Sequence, residues 1–127
     1  MPYTKIAIIG SRDFDNIELF DFSISRIFET YEISNPEIVS GGAKGADSFA
    51  KALAVKNNLP YKEFLPDWKA YGKSAGPKRN KQIVEYSDLI IAFWDGKSKG
   101  TLSSIQFAKE LTKKLVVICY KEIPNEY

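Results

Sequence analysis

The chain contains no histidine. A serine or cysteine nucleophile therefore has no imidazole to activate it, and most zinc sites lose a usual ligand. Any chemistry must come from carboxylates, arginines, lysines, hydroxyls and backbone amides. Residues of those types gather in four stretches: G-S-R-D-F (10–14), S-G-G-A-K-G-A-D (40–47), D-W-K-A-Y-G-K-S-A-G-P-K-R-N (67–80) and W-D-G-K-S-K-G-T (94–101). Two of them have the composition of phosphate cradles. Gly41, Gly42 and Gly45 follow Ser40, and Gly96, Ser98, Gly100 and Thr101 follow Asp95. Glycine lets a backbone approach an anion closely, and a helix N-terminus favours negative charge. Tight strand-to-helix turns would explain either loop alone; two at one sheet edge favour the cradle.

The remaining polar candidates each have a plain alternative. Arg12 and Arg79 suit bidentate contact with phosphate or carboxylate, or are ordinary surface arginines. Asp47 either caps the helix that it opens or accepts hydrogen bonds from a ribose and assists proton transfer. Trp68, Tyr71 and Trp94 either wall a base by stacking or pack in the core and at its rim. No Cys-rich or Glu-x-x-His metal spacing occurs. The two G-K-S triplets, at 72–74 and 96–98, are not P-loops, because Asp67 and Ile91 stand where the leading glycine belongs. Strand 1 runs into G-S-R-D-F-D and not G-x-G-x-x-G, against ordinary NAD binding.

These stretches require elements to hold them. Apolar runs at 5–9, 37–40, 61–64, 88–94 and 114–120 read as strands, and those at 5–9, 88–94 and 114–120 are apolar throughout, as strands covered on both faces are. Ile17, Phe20, Ile24, Ile27, Phe28 and Tyr31 recur at helical spacing behind a cap at Asp15 or Asn16. Further helices are expected from Ala46 to about Asn58, from Pro77 to Tyr86, and across Leu102 to Leu111, with residues 66–77 as a long connection. Five strands alternating with four helices predict a Rossmann-like three-layer α/β/α fold with a mostly parallel five-stranded sheet. Ligands of such sheets lie beyond the carboxyl ends of the strands, which is where all four stretches fall.

Composition sets the outer bounds. At 127 residues, 44% hydrophobic and 27% charged, the chain reads as one globular domain over 1–120 with a polar tail at 121–127. No apolar run approaches the ~20 residues that span a bilayer, so a cytoplasmic protein without membrane association is expected. Cys119, the single cysteine, reads as a small buried hydrophobe. A net charge of +2 makes nucleic acid an unexpected partner, and the cluster Lys69, Lys73, Lys78, Arg79 and Lys81 reads as a solvated helix face. The expected partner is a small phosphorylated molecule, with no resident cofactor or metal; a homo-oligomer stays open.

Taken together and in order, G-S-R-D-F, S-G-G-A-K-G-A-D, D-W-K-A-Y-G-K-S-A-G-P-K-R-N and A-F-W-D-G-K-S-K-G-T resemble the YspA-like (YpsA-related) family of the SLOG superfamily. That superfamily also holds the LOG phosphoribohydrolases and the DNA-processing protein DprA. The resemblance implies a nucleotide-binding domain, in phage-conflict or stress settings, with Gly10, Ser11 and Arg12 lining the pocket. It places Gly41, Gly42 and Asp47 beside them, Arg79 and Asn80 on the third helix, and Gly96, Ser98, Gly100 and Thr101 as the phosphate loop for a nucleotide-derived ligand. Ser40, Gly45, Asp67, Trp68, Trp94 and Asp95, in the same four stretches, are expected to bind the ligand with them. The LOG enzymes use an Arg and a Glu; here Ser104 occupies the position of that Glu. Two alternatives to a binding domain follow. One is a LOG-like N-glycoside or phosphoribosyl hydrolase acting on nucleoside monophosphates or NAD and ADP-ribose derivatives, with Asp47 and Arg79 as catalytic groups and Asp67 or Asp95 as substitutes. The other is a DprA-like nucleic-acid module.

Overall fold

A computed structural model describes residues 4–121. Five strands, β1 (Thr4–Gly10), β2 (Pro36–Ser40), β3 (Tyr61–Glu63), β4 (Leu89–Trp94) and β5 (Lys114–Cys119), form one sheet in the order β3-β2-β1-β4-β5. Every neighbouring pair is parallel. The helices are α1 (Ile17–Thr30), α2 (Ala46–Lys56), α3 (Trp68–Tyr71), α4 (Ala75–Tyr86) and α5 (Lys99–Glu110). Among the described residues no helix is long and apolar enough to cross a membrane.

Alternation along the strands divides the core in two. Ile6, Ile8, Ile38, Leu89, Ile91 and Phe93 pack with α1 and α2 on one face, while Ala7, Ile9, Val39, Ile90 and Ala92 pack with α4 and α5 on the other. A residue pair that points to opposite faces must be apolar at both positions, which is why β1 and β4 read as unbroken apolar runs. The chain winds outward from β1 to β3, returns to β4, and winds outward again to β5. Reversing direction at constant crossover hand moves the helices to the other face and opens a crevice between the ends of β1 and β4.

Three expectations need correction. β5 is an edge strand, and Val117 is 40% exposed, so its apolar run does not mark a strand covered on both faces. Cys119 is likewise exposed, its thiol 3.8 Å from the Lys121 carbonyl. The stretch 66–77 is not a plain connection. Asp67 caps α3 by accepting from the Ala70 N–H at 3.1 Å, a 3-10 turn follows over Gly72–Ser74, and α4 begins at Ala75 with Pro77 inside its first turn. There are thus five helices where four were expected. At α1 the choice of cap falls on Asn16, whose side chain accepts from the Leu19 N–H at 3.0 Å. Of the polar tail at 121–127, only Lys121 falls within the described residues.

Candidate functional site

A cleft of about 470 Å³ opens at the carboxyl ends of β1, β2 and β4. That size lies within the ordinary range of small-molecule sites, roughly 300–1,000 Å³. Its walls bring together Gly10, Ser11, Arg12, Gly41, Asp47, Arg79, Asn80, Asp95, Ser98, Gly100 and Thr101, all expected from the sequence. Asp13, Ala43 and Ser104 line it as well and were not expected as site residues. For Asp13 and Ala43 the only signal in the sequence was adjacency within the same loops, whereas Ser104 stands where the LOG enzymes carry their Glu.

The floor is built around Gly41. Its N–H donates to Asp47 Oδ2 at 2.9 Å, and its carbonyl accepts from Arg79 Nη1 at 2.8 Å. A Cβ at Gly41 would stand 2.6 Å from Arg79 Nη1 and 3.1 Å from Asp47 Oδ2, so only glycine lets both side chains close on one peptide. Arg79 also reaches the Phe64 carbonyl at 3.4 Å and donates through Nε to Asn80 Oδ1 at 2.9 Å. Asp47 does not cap α2; it lies inside the helix, whose N-cap, Gly45, makes no side-chain cap bond. Burial raises the Asp47 carboxyl above the usual range, against the Gly41 N–H, the Ser40 hydroxyl, the Ala43 N–H and the Arg79 charge. Burial lowers the Arg79 guanidinium in turn; Asp47 opposes that shift and Arg12 adds to it.

The opposite wall is the loop into α5. Asp95 Oδ1 accepts from the Lys97 and Ser98 N–H groups at 2.8 and 2.7 Å, and these two bonds hold its carboxyl below the ordinary value. The Asp95 N–H donates to Ser11 Oγ at 3.2 Å and ties this loop to β1. Trp94 Nε1 braces the same loop through the Ser98 carbonyl at 3.1 Å. Beyond it α5 starts without a side-chain cap at Ser98, so the first-turn N–H groups keep no intrahelical acceptor. Ser98 and Thr101 hydroxyls lie 3.3 Å apart at this turn. The Ser104 hydroxyl turns back on its own helix, 3.4 Å from the Gly100 carbonyl.

The glycines divide by what they make room for. At Gly10 a Cβ would meet the Phe93 carbonyl at 2.5 Å and Ala46 Cβ at 2.8 Å, which is packing of α2 against β1. At Gly45, with φ +79°, it would meet the Ser11 carbonyl at 2.4 Å. Gly42 makes room for the Glu63 carboxylate. Gly100 differs: nothing lies within 4 Å of its would-be Cβ, and it lines the cleft. Ser40 lies buried beneath the site, its hydroxyl accepting from the Gly42 N–H at 3.3 Å. Asp67, Trp68, Trp94 and Gly96 do not line the cleft.

Charge in the cleft is unevenly satisfied. Asp13 is bound by Lys121 Nζ at 2.7 Å and by the Tyr120 hydroxyl, which together hold its carboxyl below the usual range. Asp47 and Asp95 each receive backbone N–H bonds. Arg12 makes no hydrogen bond or ion pair with any other described residue. What the protein leaves unanswered here is cationic, and so fits an anion. Among the described residues no group of three His, Cys, Asp or Glu is placed to hold a metal ion.

The Gene 61 protein of Mycobacterium phage D29 is 34% identical over 79 residues, which cover 58% of this chain and 63% of that protein. The chain therefore spans less than two thirds of the length of this curated relative. The model of the family described as "YspA, cpYpsA-related SLOG family" matches residues 4–71, from β1 through α3, more than half of the sequence. That stretch supplies the Gly10–Asp13 and Gly41–Asp47 walls, and the chain belongs to the YspA, cpYpsA-related SLOG family.

Proposed function

We propose that the cleft binds a nucleotide-derived, phosphorylated ribose ligand, with its phosphate at the first turn of α5. Membership of the SLOG family suggests nucleotide-related binding or processing in general. The observation that carries the finer reading is the pairing of an uncapped α5 with open space at Gly100, in a cleft also lined by Arg12, which has no hydrogen bond or ion pair among the described residues. A phosphate there gains backbone N–H donors, the positive end of the helix dipole and a guanidinium. The ligand's sugar then lies toward Asn80 and Asp47, which line the same cleft.

A second reading, an N-glycoside hydrolase, is favoured by the buried Asp47. At 5% exposure, with a raised carboxyl and an arginine on the same peptide, it has the environment of a general acid or base. In that reaction water adds to C1′ of the ribose, the C1′–N bond breaks, and the base leaves with the proton Asp47 relays. Ser104 brings no carboxylate to the cleft, and the carboxylates that line it besides Asp47 are Asp13, bound by Lys121, and Asp95, held by the Lys97 and Ser98 N–H groups.

Incubation with AMP, NAD and ADP-ribose, following heat of binding and released base in the same samples, separates the readings. Binding without free base supports the binding domain. Turnover lost in Asp47→Asn with affinity retained supports the hydrolase. Failure of all three to bind, with phosphate and ribose 5-phosphate also inert, would overturn both.

A further inference from the structure

The basic cluster around α3 contributes only Arg79 to the cleft. Residues 65–81 hold five cations (Lys69, Lys73, Lys78, Arg79, Lys81) against one carboxylate (Asp67), a net +4 in a chain of net +2, which leaves −2 for all the rest. The small total thus conceals a segregation of charge. The same segment exposes Leu65, Trp68 and Tyr71 at 67, 57 and 50%. Trp68 and Tyr71 stand three apart on α3 and so share its face.

The two rings are held in place while remaining in solvent. Asp67 caps their helix, and the Ser74 hydroxyl donates to the Tyr71 carbonyl at 2.8 Å. Lys78 Nζ sits 4.8 Å from the centre of the Tyr71 ring, and Trp68 Cη2 lies over Gly76, 3.7 Å from where a Cβ would be. Lys78 and Lys81, both exposed, share one face of α4. Fixed aromatic faces interleaved with lysines match a strand of alternating bases and phosphates.

We infer that the Trp68–Tyr71 face with Lys69, Lys73, Lys78 and Lys81 is a docking surface for single-stranded DNA, separate from the cleft. A duplex keeps its bases stacked and offers the rings nothing. An apolar protein partner has no use for four lysines, and a four-residue helix is too short for the amphipathic face that membranes take up. Stacking on the rings and contact of ammonium groups with phosphate, which this face offers, draw nothing from a ribose 2′-hydroxyl.

The test is fluorescence anisotropy with a labelled thymidine oligonucleotide of about 20 nucleotides, between about 50 and 200 mM salt. Three or four phosphate contacts predict a log–log salt slope of about −2 to −3. Trp68→Ala should weaken binding roughly tenfold or more, Trp68→Phe much less, and Lys69→Gln with Lys73→Gln should flatten the slope. Gly100→Val, which fills the cleft, should leave DNA affinity unchanged. No binding at low salt, indifference to Trp68→Ala, or tighter binding of duplex or of the matching RNA overturns the assignment. So does loss in Trp68→Ala of anionic-vesicle binding or of self-association in the absence of DNA binding.

Discussion

Asp47 and Arg79 meet across a single peptide: the Gly41 N–H serves the carboxylate at 2.9 Å and the Gly41 carbonyl takes the guanidinium at 2.8 Å. The two side chains are aligned by backbone atoms and not by a direct ion pair. Gly41→Ala drives a methyl group to 2.6 Å from Arg79 Nη1. The guanidinium can swing aside, so we expect a stability cost near that of its one bond to the Gly41 carbonyl, about 1 kcal/mol, and a loss of ligand affinity of at least tenfold. Thermal melts with calorimetric titration check both; an alanine variant that binds AMP as tightly as the parent would remove Gly41 from the site.

The buried carboxyl gives a signed pH effect. Its folded value is raised, so its contribution to stability is fully present below the unfolded value, about 4, and is lost as pH rises through the folded one. Asp47→Asn carries no charge to bury, and its amide oxygen can still accept from Gly41. The variant should melt higher than the parent at neutral pH, with the advantage shrinking toward pH 4. Parallel melting curves across that interval would contradict the burial argument.

Glycines of equal appearance should respond in opposite directions. Gly10→Ala meets backbone oxygen at 2.5 Å and should cost about 1–3 kcal/mol or prevent folding. Gly100→Ala meets nothing and sits in the first turn of α5, where replacing glycine should stabilise by up to about 1 kcal/mol. The same methyl narrows the cleft, so AMP affinity should fall while the melting temperature rises, and Gly100→Val should lower affinity further. Denaturant titrations beside binding isotherms measure the split.

Trp94 supplies an optical report. Its indole N–H holds the Ser98 carbonyl at 3.1 Å, directly behind the first turn of α5. In a Trp68→Phe background it is the one remaining tryptophan of two. A phosphate seated at α5 should shift its emission, and Trp94→Phe should loosen the loop and weaken binding several-fold. Calorimetric binding without any emission change would locate the ligand elsewhere.

Strand and helix positions were legible because period and apolar runs report burial directly, as along Ile17–Tyr31 and 88–94. What the pattern could not report was the number of covered faces. L-V-V-I-C reads the same at an edge as in the middle of a sheet, and so Cys119 and Val117 were misplaced. In 66–77 prolines and glycines masked a capped turn and the start of α4, since Pro77 is compatible with a first turn and Gly76 only packs beneath Trp68. The candidate cleft was legible as a set of loops at one edge. The division of labour within it was not: Gly10 and Gly45 answer to packing, Gly41 to two side chains and Gly100 to open space, differences that exist only in three dimensions.

The cleft straddles a join between distant parts of the chain. Lys5 and Asp88, which open the β1–β4 seam, stand 83 residues apart, and the walls derive from both sides of it. Such non-local pairings form slowly, because loop closure must precede the contacts that reward it. A folding intermediate that has built only the β1–α2 half owns the Gly41–Gly45 loop but no Arg79 and no α5. The ligand proposed above should therefore bind the completed chain alone and add RT ln(1 + [L]/Kd) to its stability. In hydrogen exchange that gain would spread along the whole β1–β4 seam, with the ligand acting as a clasp on the fold.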